Sequence, residues 1–200
     1  DEWIAHIKTL GGERKYVEPA KGTVNPRVFI DRLAKKMPAN VTVVADVGQN
    51  QIWTCTEYKF RKEGRLLTSG GMGYSVPAAI GAKMADDSRA TVAICGDGAF
   101  QMSFMELATA VQFGVDIKVV VMTNNRLGMV RELQTNGYHD RQTAVFLDGS
   151  PDFIKLAEAY GIPAMRVYDD DTMEKGIEML AEHKGICLVE VVVDKDMPTL

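Results

Sequence analysis

Thr91-Val-Ala-Ile-Cys-Gly-Asp-Gly98 decides how this chain is read. The first five residues are small or apolar without interruption, as in a parallel strand covered by helices on both faces. The run then stops on an aspartate between two glycines. A carboxylate at the end of a buried strand is costly unless a cation or a helix N-terminus meets it. A helix follows closely, because Phe104, Leu107, Ala108 and Val111 form one apolar stripe stopped at Gly114. Backbone N–H groups and the positive end of a helix dipole therefore face the same crevice as Asp97.

Working outward, the same kind of run recurs at Val41–Asp46, Ile117–Thr123, Ala164–Tyr168 and Cys187–Val193. Helical patterns separate them. Asn25-Pro26 reads as an N-cap followed by proline at the first helical position, leading into Val28, Leu33 and Met37. Val76-Pro77 opens a helix through Ala78, Ala79, Ile80, Ala82 and Met84. Ser150-Pro151 starts another that carries Phe153, Leu156, Ala157 and Tyr160 and ends at Gly161. A last one covers Thr172 to His183. This alternation predicts an α/β fold, a doubly wound parallel sheet of about six strands with helices on both faces. Ligands of such sheets bind outside the carboxyl ends of the strands.

The run at 117–123 is followed by Asn124, Asn125, Arg126, Leu127 and Gly128. Asp97 and Asn124, 27 positions apart, thus sit at the ends of neighbouring strands. A carboxylate, an amide oxygen and backbone carbonyls are hard oxygen donors suited to Mg²⁺, which commonly shares its site with substrate phosphates. Either motif alone also suits a turn or a helix cap. Their pairing points to a Mg²⁺–diphosphate site.

Composition excludes several alternatives. The 200 residues are 46% hydrophobic and 25% charged with a net charge of −4, an ordinary globular balance with no basic field for nucleic acid. No apolar run reaches the roughly 18 residues needed to span a membrane. Cys55, Cys95 and Cys187 match no metal spacing and no disulfide framework, which suits a reducing, cytoplasmic setting. His6, His139 and His183 are scattered. Residues 1–22, with Gly11-Gly12, Pro19 and Gly22, read as the tail of a preceding domain and a linker, in which Trp3, Ile4 and Ile7 suit a packed terminal helix. Residues 23–200 read as the domain itself.

Gly-Asp-Gly followed by Asn-Asn about two dozen residues later resembles the thiamin diphosphate motif. The chain is similar to the diphosphate-binding domain of that superfamily, in particular of acetolactate (acetohydroxyacid) synthases. Asp46-Val-Gly-Gln-Asn-Gln-Ile-Trp53, Ser69-Gly-Gly-Met-Gly-Tyr-Ser-Val-Pro-Ala-Ala-Ile-Gly-Ala82, Leu127-Gly-Met-Val-Arg131 and Pro151-Asp-Phe-Ile-Lys-Leu-Ala-Glu-Ala-Tyr-Gly161 carry the resemblance over about residues 23–195.

The resemblance implies thiamin diphosphate and Mg²⁺ as cofactors. The metal would be held by Asp97, Asn124 and the carbonyl of Arg126, with Asn125 the alternative to Asn124. Aligning on Leu-Gly-Met puts Thr123 at the family's first Asn. Val47, Gly48, Gln49 and Asn50 match the loop around the diphosphate, Asn50 standing where the family has His. Gly96, Gly98 and Ala99 follow the same pattern. Met72 matches the bulky residue under the thiazolium ring, and the carbonyl of Gly70 the acceptor for the aminopyrimidine. Leu127, Gly128, Met129 and Val130 match residues near the reacting atoms. Met72 and Met129 are the catalytic candidates in this chain. Leu133 falls where many members have a substrate-channel Trp, or else is a buried helix position.

The implied activity is decarboxylation of pyruvate and carboligation to a second 2-keto acid. The implied partners are a pyrimidine-binding domain of a second chain, which contributes an activating Glu, in a homodimer or homotetramer, and a regulatory subunit. FAD belongs to the full-length enzyme on that reading. The chain would then be a fragment, its tail near Leu200 cut short. A related thiamin diphosphate decarboxylase or carboligase, the small subunit of a two-subunit decarboxylase, and a non-catalytic binding module are the other readings.

Overall fold

The computed structural model describes residues 2–10 and 16–199; the Gly11-Gly12 pair and Leu200 invoked above lie outside them. Six strands form one all-parallel sheet: β1 (Thr42–Ala45), β2 (Arg65–Thr68), β3 (Thr91–Gly96), β4 (Lys118–Thr123), β5 (Ala164–Val167) and β6 (Cys187–Val192). Their order is β2-β1-β3-β4-β6-β5. The helices are α1 (Glu2–Leu10), α2 (Pro26–Lys36), α3 (Gln49–Glu57), α4 (Ser75–Ala85), α5 (Asp97–Phe100), α6 (Leu107–Gln112), α7 (Gly128–Gly137), α8 (Phe153–Ala159) and α9 (Asp170–Glu182).

Two cores confirm the double winding. On one face Phe29, Ile30 and Leu33 of α2, Trp53 of α3, and Met173, Ile177 and Leu180 of α9 pack on Val43, Ile94, Val120 and Val189. On the other, Val76 and Ala79 of α4, Phe100 of α5, Leu107 of α6 and Phe153 of α8 pack on Val44, Ala93, Cys95, Val119 and Val121. The strands alternate their side chains between these cores, so the middles of β3 and β4 must be apolar, as Val92–Cys95 and Val119–Met122 are. In α2 the buried positions Pro26, Phe29, Ile30, Leu33 and Ala34 follow the helical period. Each large apolar side chain so buried contributes on the order of 1.5–3 kcal/mol. Phe100 and Phe153 meet edge to face with centroids 5.4 Å apart. The one carboxylate inside β6, Glu190, accepts from Arg166 Nε at 2.8 Å.

The sequence expectations and the structure differ in several places. β2 escaped because Arg65-Leu-Leu-Thr68 is an edge strand with exposed ends, paired only with β1. α3 escaped because its polar residues form a helix only through burial of Trp53, Thr54 and Asn50. The helix placed at Ser150-Pro151 starts two residues later, because Asp152 caps it by accepting from the N–H groups of Ile154 and Lys155. In α1, Trp3, Ile4 and Ile7 are exposed rather than packed. Among the described residues no helix is long and apolar enough to cross a membrane.

Candidate functional site

β1 and β3 are neighbours, yet the chain leaves them in opposite directions, β1 toward β2 and β3 toward β4. The loops after these strands diverge, and a crevice opens at their carboxyl ends. It holds a solvent-open cavity of about 120 Å³. After β1 it is lined by Val47, Gly48, Gln49 and Asn50, after β3 by Gly96, Asp97, Gly98 and Ala99, and after β4 by Asn124 and residues 126–130. Met72 stands at its edge, its side chain exposed. Of the residues given a cofactor, metal or catalytic role from the sequence, only Gly70 and Asn125 lie outside this lining. Trp53, Met122 and Val193 join it unannounced.

Three helices begin at this crevice, and none is capped by a side chain at its first residue: α3 after Gly48, α5 after Gly96 and α7 after Leu127. Away from the crevice, α2, α8 and α9 are capped by Asn25, Asp152 and Asp169. Gly48 has φ +140°, a conformation L side chains rarely adopt, so only glycine leads the chain into α3 this sharply. The open N–H groups and positive dipole ends of α3 and α7 make the crevice an anion site.

Asp97 is buried, with 2% exposure. Its Oδ1 accepts from Gly98 N at 2.8 Å, and its Oδ2 accepts from Asn125 N at 2.7 Å and Asn124 N at 3.2 Å. Burial pushes its carboxyl up to about 6, against the lowering pull of those N–H groups. Among the described residues no ammonium or guanidinium group pairs with it. Arg126, on the loop after β4 that lines the crevice, is engaged elsewhere: its Nη1 donates to Asn125 O and to Asp148 Oδ1, and its guanidinium lies 4.6 Å over the Phe146 ring. A buried carboxylate without a cation beside an amide oxygen and a free loop carbonyl is a donor set that fits a hard divalent ion. Among the described residues no group of three or more His, Cys, Asp or Glu could hold a metal instead.

Asn124 Nδ2 donates to Gln49 Oε1 at 3.2 Å, and Asn124 Oδ1 accepts from Arg126 N at 3.1 Å. Asn125 takes φ +54°, which swings it out of the crevice; the structure brings Asn124 into the lining and leaves Asn125 out. Asn50 donates to the carbonyls of Asp46 (2.9 Å) and Ile94 (3.2 Å), clamping β1 to β3 where the crevice opens. Close approach explains two glycines. A Cβ at Gly98 would meet Leu127 Cδ2 at 2.7 Å, and one at Gly128 would meet Gln49 Oε1 at 1.9 Å.

Asp46 was missed as a functional residue. Fully buried, it accepts from Val47 N (2.9 Å) and Gly73 N (3.0 Å) on Oδ1 and from Ser75 N (2.7 Å) on Oδ2. It thereby caps α4 from a distance and ties the Met72 loop to the end of β1. Its place at the head of the 46–53 segment was the available signal. Leu133, on α7, is 61% exposed and outside the cavity lining, so the buried-helix alternative for it is wrong.

A family model described as thiamine pyrophosphate enzyme, C-terminal TPP binding domain, matches residues 46–191. The chain is 38% identical over 185 residues to the acetolactate synthase catalytic subunit, mitochondrial, of Aspergillus candidus. It is 36% identical over 199 residues to the acetolactate synthase large subunit of Lactococcus lactis, and 36% identical over 208 residues to the mitochondrial catalytic subunit of Saccharomyces cerevisiae. These alignments take in 90%, 98% and 100% of this chain but 26%, 34% and 30% of the relatives. The chain spans about a third or less of the length of these curated relatives. It belongs to the thiamine pyrophosphate enzyme family, as the C-terminal TPP binding domain.

Proposed function

We propose that this member of the thiamine pyrophosphate enzyme family is the diphosphate-binding part of an acetolactate synthase, which decarboxylates pyruvate and joins the two-carbon unit to a second 2-keto acid. The observation that carries the reading is the meeting of two helix N-termini without side-chain caps, those of α3 and α7, with the buried, cation-free Asp97. Such a site rewards a dianion and a divalent cation together.

Mg²⁺ would be held by Asp97, the Asn124 side-chain oxygen and the Arg126 carbonyl. Val47, Gly48, Gln49, Asn50, Gly96, Gly98 and Ala99 would surround the diphosphate. The N–H groups at the start of α3 and α7 would stabilise its charge without a basic side chain, in keeping with a chain of net charge −4. When bound, thiamin diphosphate supplies the nucleophilic carbon and the electron sink for loss of CO₂. Met72, on a loop fixed by Asp46, offers a soft apolar surface against the ring and keeps water from that side. Gly70 would offer its carbonyl to the aminopyrimidine. Leu127, Gly128, Met129 and Val130 form the wall at the start of α7, next to where the keto acid would enter.

Residues 23–200 form the domain on this reading, and residues 1–22 the tail of a preceding one. Val24 supports the boundary, since its N–H joins Val192 O at 2.9 Å and ties the start of the domain to the end of β6. The activating Glu would come from a pyrimidine-binding domain of a second chain in a homodimer or homotetramer. FAD and a regulatory subunit belong to other parts of the assembly. Three free thiols agree with a reducing, cytoplasmic setting. The test is acetolactate formation from pyruvate by the full-length protein with thiamin diphosphate and Mg²⁺. Production that Asp97→Ala abolishes supports the assignment, and no acetolactate from the folded wild type overturns it.

A further inference from the structure

The segment after β6 returns to the crevice. Its Pro198 carbonyl accepts from Trp53 Nε1 at 3.1 Å, its Thr199 carbonyl from Arg27 Nη2 at 2.7 Å, and Thr199 N donates to Glu132 Oε1 at 3.1 Å. It thus touches α2, α3 and α7 at once, and it meets two deeply buried side chains of the cavity lining, Trp53 and Gln49, which are 1% and 4% exposed.

Gln49 has one N–H pair and one oxygen to place. Its Nε2 donates to Met197 O at 2.9 Å and Thr199 Oγ1 at 3.1 Å, with Glu132 Oε2, itself bonded to Thr199, a further acceptor at 3.4 Å. A backbone carbonyl can only accept, so the amide nitrogen is committed to the C-terminal segment and Oε1 must point the other way. There it accepts from Asn124 Nδ2 at 3.2 Å. With Nδ2 so held, Asn124 Oδ1 faces away from Gln49, accepts from Arg126 N at 3.1 Å and keeps a lone pair. Turning the Asn124 amide over would set oxygen against Gln49 Oε1 and nitrogen against Arg126 N–H, two mismatches in a buried place. Gly128 lets this happen, because a Cβ there would lie 1.9 Å from Gln49 Oε1 and 2.6 Å from its Cδ.

We propose that Gln49 is a positioning residue that sets which end of the Asn124 amide faces the cation position, and that the C-terminal segment Met197–Thr199 in turn sets the orientation of Gln49. The proposal rests on Asn124 as a ligand of a divalent cation held with thiamin diphosphate. A flipped asparagine would present N–H groups to the cation, whereas an aspartate has two equivalent oxygens and needs no orienting.

That difference provides the test. Mn²⁺ uptake by the full-length protein, in the presence of thiamin diphosphate, is followed by the electron paramagnetic resonance signal of free Mn²⁺. Gln49→Met keeps the length of the side chain and removes both hydrogen-bonding ends. It is expected to weaken Mn²⁺ binding by about tenfold or more, the scale seen when a residue supporting a metal ligand is removed. In an Asn124→Asp background the same change is expected to cause no loss of Mn²⁺ affinity, or to raise it, since the aspartate needs no orienting and its second oxygen faces Gln49 Oε1 with no proton between them. A loss of similar size in both backgrounds would make Gln49 a general structural support and overturn the proposal, as would wild-type affinity in Gln49→Met. No Mn²⁺ uptake by the wild-type protein would overturn the cation reading itself, and this proposal with it.

Discussion

Replacing Gly128 by alanine is the sharpest perturbation the site offers. The added methyl would sit 1.9 Å from Gln49 Oε1, 2.6 Å from Cδ and 3.1 Å from Cγ, so the Gln49 side chain must leave its place. It then gives up its bonds to Asn124, Met197 and Thr199. At about 1 kcal/mol net for each, with more for partners left buried and unpaired, the loss is about 3–5 kcal/mol. Alanine in α7 returns at most about 1 kcal/mol of helix propensity. The net cost is about 2–4 kcal/mol, which lowers the melting transition of this domain by roughly 5–15 °C at the ~2–4 °C per kcal/mol of a 150–250-residue cooperative unit. Thermal unfolding of the full-length protein, wild type against Gly128→Ala, measures it. The decisive arm adds Gln49→Ala to both. With no side chain to displace, the alanine at 128 should cost under about 0.5 kcal/mol. A melting temperature within about 1 °C of wild type, or an equal cost in both backgrounds, would refute the steric reasoning.

Other expectations follow from the same contacts. Asp46→Ala leaves the N–H groups of Gly73 and Ser75 without their carboxylate, at a cost of about 1–3 kcal/mol each; limited proteolysis should cut the 69–74 loop faster, and unchanged cutting would count against its tie to β1. Native protein should expose one reactive thiol of this domain, Cys55, because Cys95 and Cys187 are buried. Burial pushes the Cys187 thiol up to about 11, so its labelling should stay negligible through pH 9 and appear only on unfolding; mass spectrometry after alkylation checks this. Trp53→Phe removes the indole N–H that donates to Pro198 O. It should cost roughly 1–2 kcal/mol and raise hydrogen exchange along residues 194–199, with no rise arguing that the C-terminal segment is held independently of the indole.

The fold was legible where burial on both faces forced an apolar strand. β3, β4 and β6 had to be apolar over most of their length, with Lys118 and Glu190 as paired exceptions. β2 was not, because an edge strand faces solvent at both ends and Arg65 and Thr68 satisfy that without a periodic signal. α3 was hidden because Gln49, Asn50 and Thr54 are poor evidence for a helix until the packing of Trp53 makes one. The site was legible as a set of strand ends, since Gly-Asp-Gly and Asn-Asn advertise themselves. What stayed hidden were contacts across long sequence separations: Asp46 to the Met72 loop, and Gln49 to Met197 and Thr199. Asp46 stood in view at the head of a quoted segment, but nothing local shows that its oxygens cap a helix 29 residues on. The choice of Asn124 over Asn125 came from spacing to Leu127, and the left-handed backbone at Asn125 supplies its physical counterpart.

The central claim is that this crevice takes a diphosphate and a divalent cation together through Asp97. Isothermal titration of the full-length protein with thiamin diphosphate tests it most directly. The account expects saturable binding that requires Mg²⁺ and disappears in Asp97→Ala while the protein stays folded. Binding that ignores Mg²⁺, or that survives loss of the Asp97 carboxylate unchanged, would contradict it.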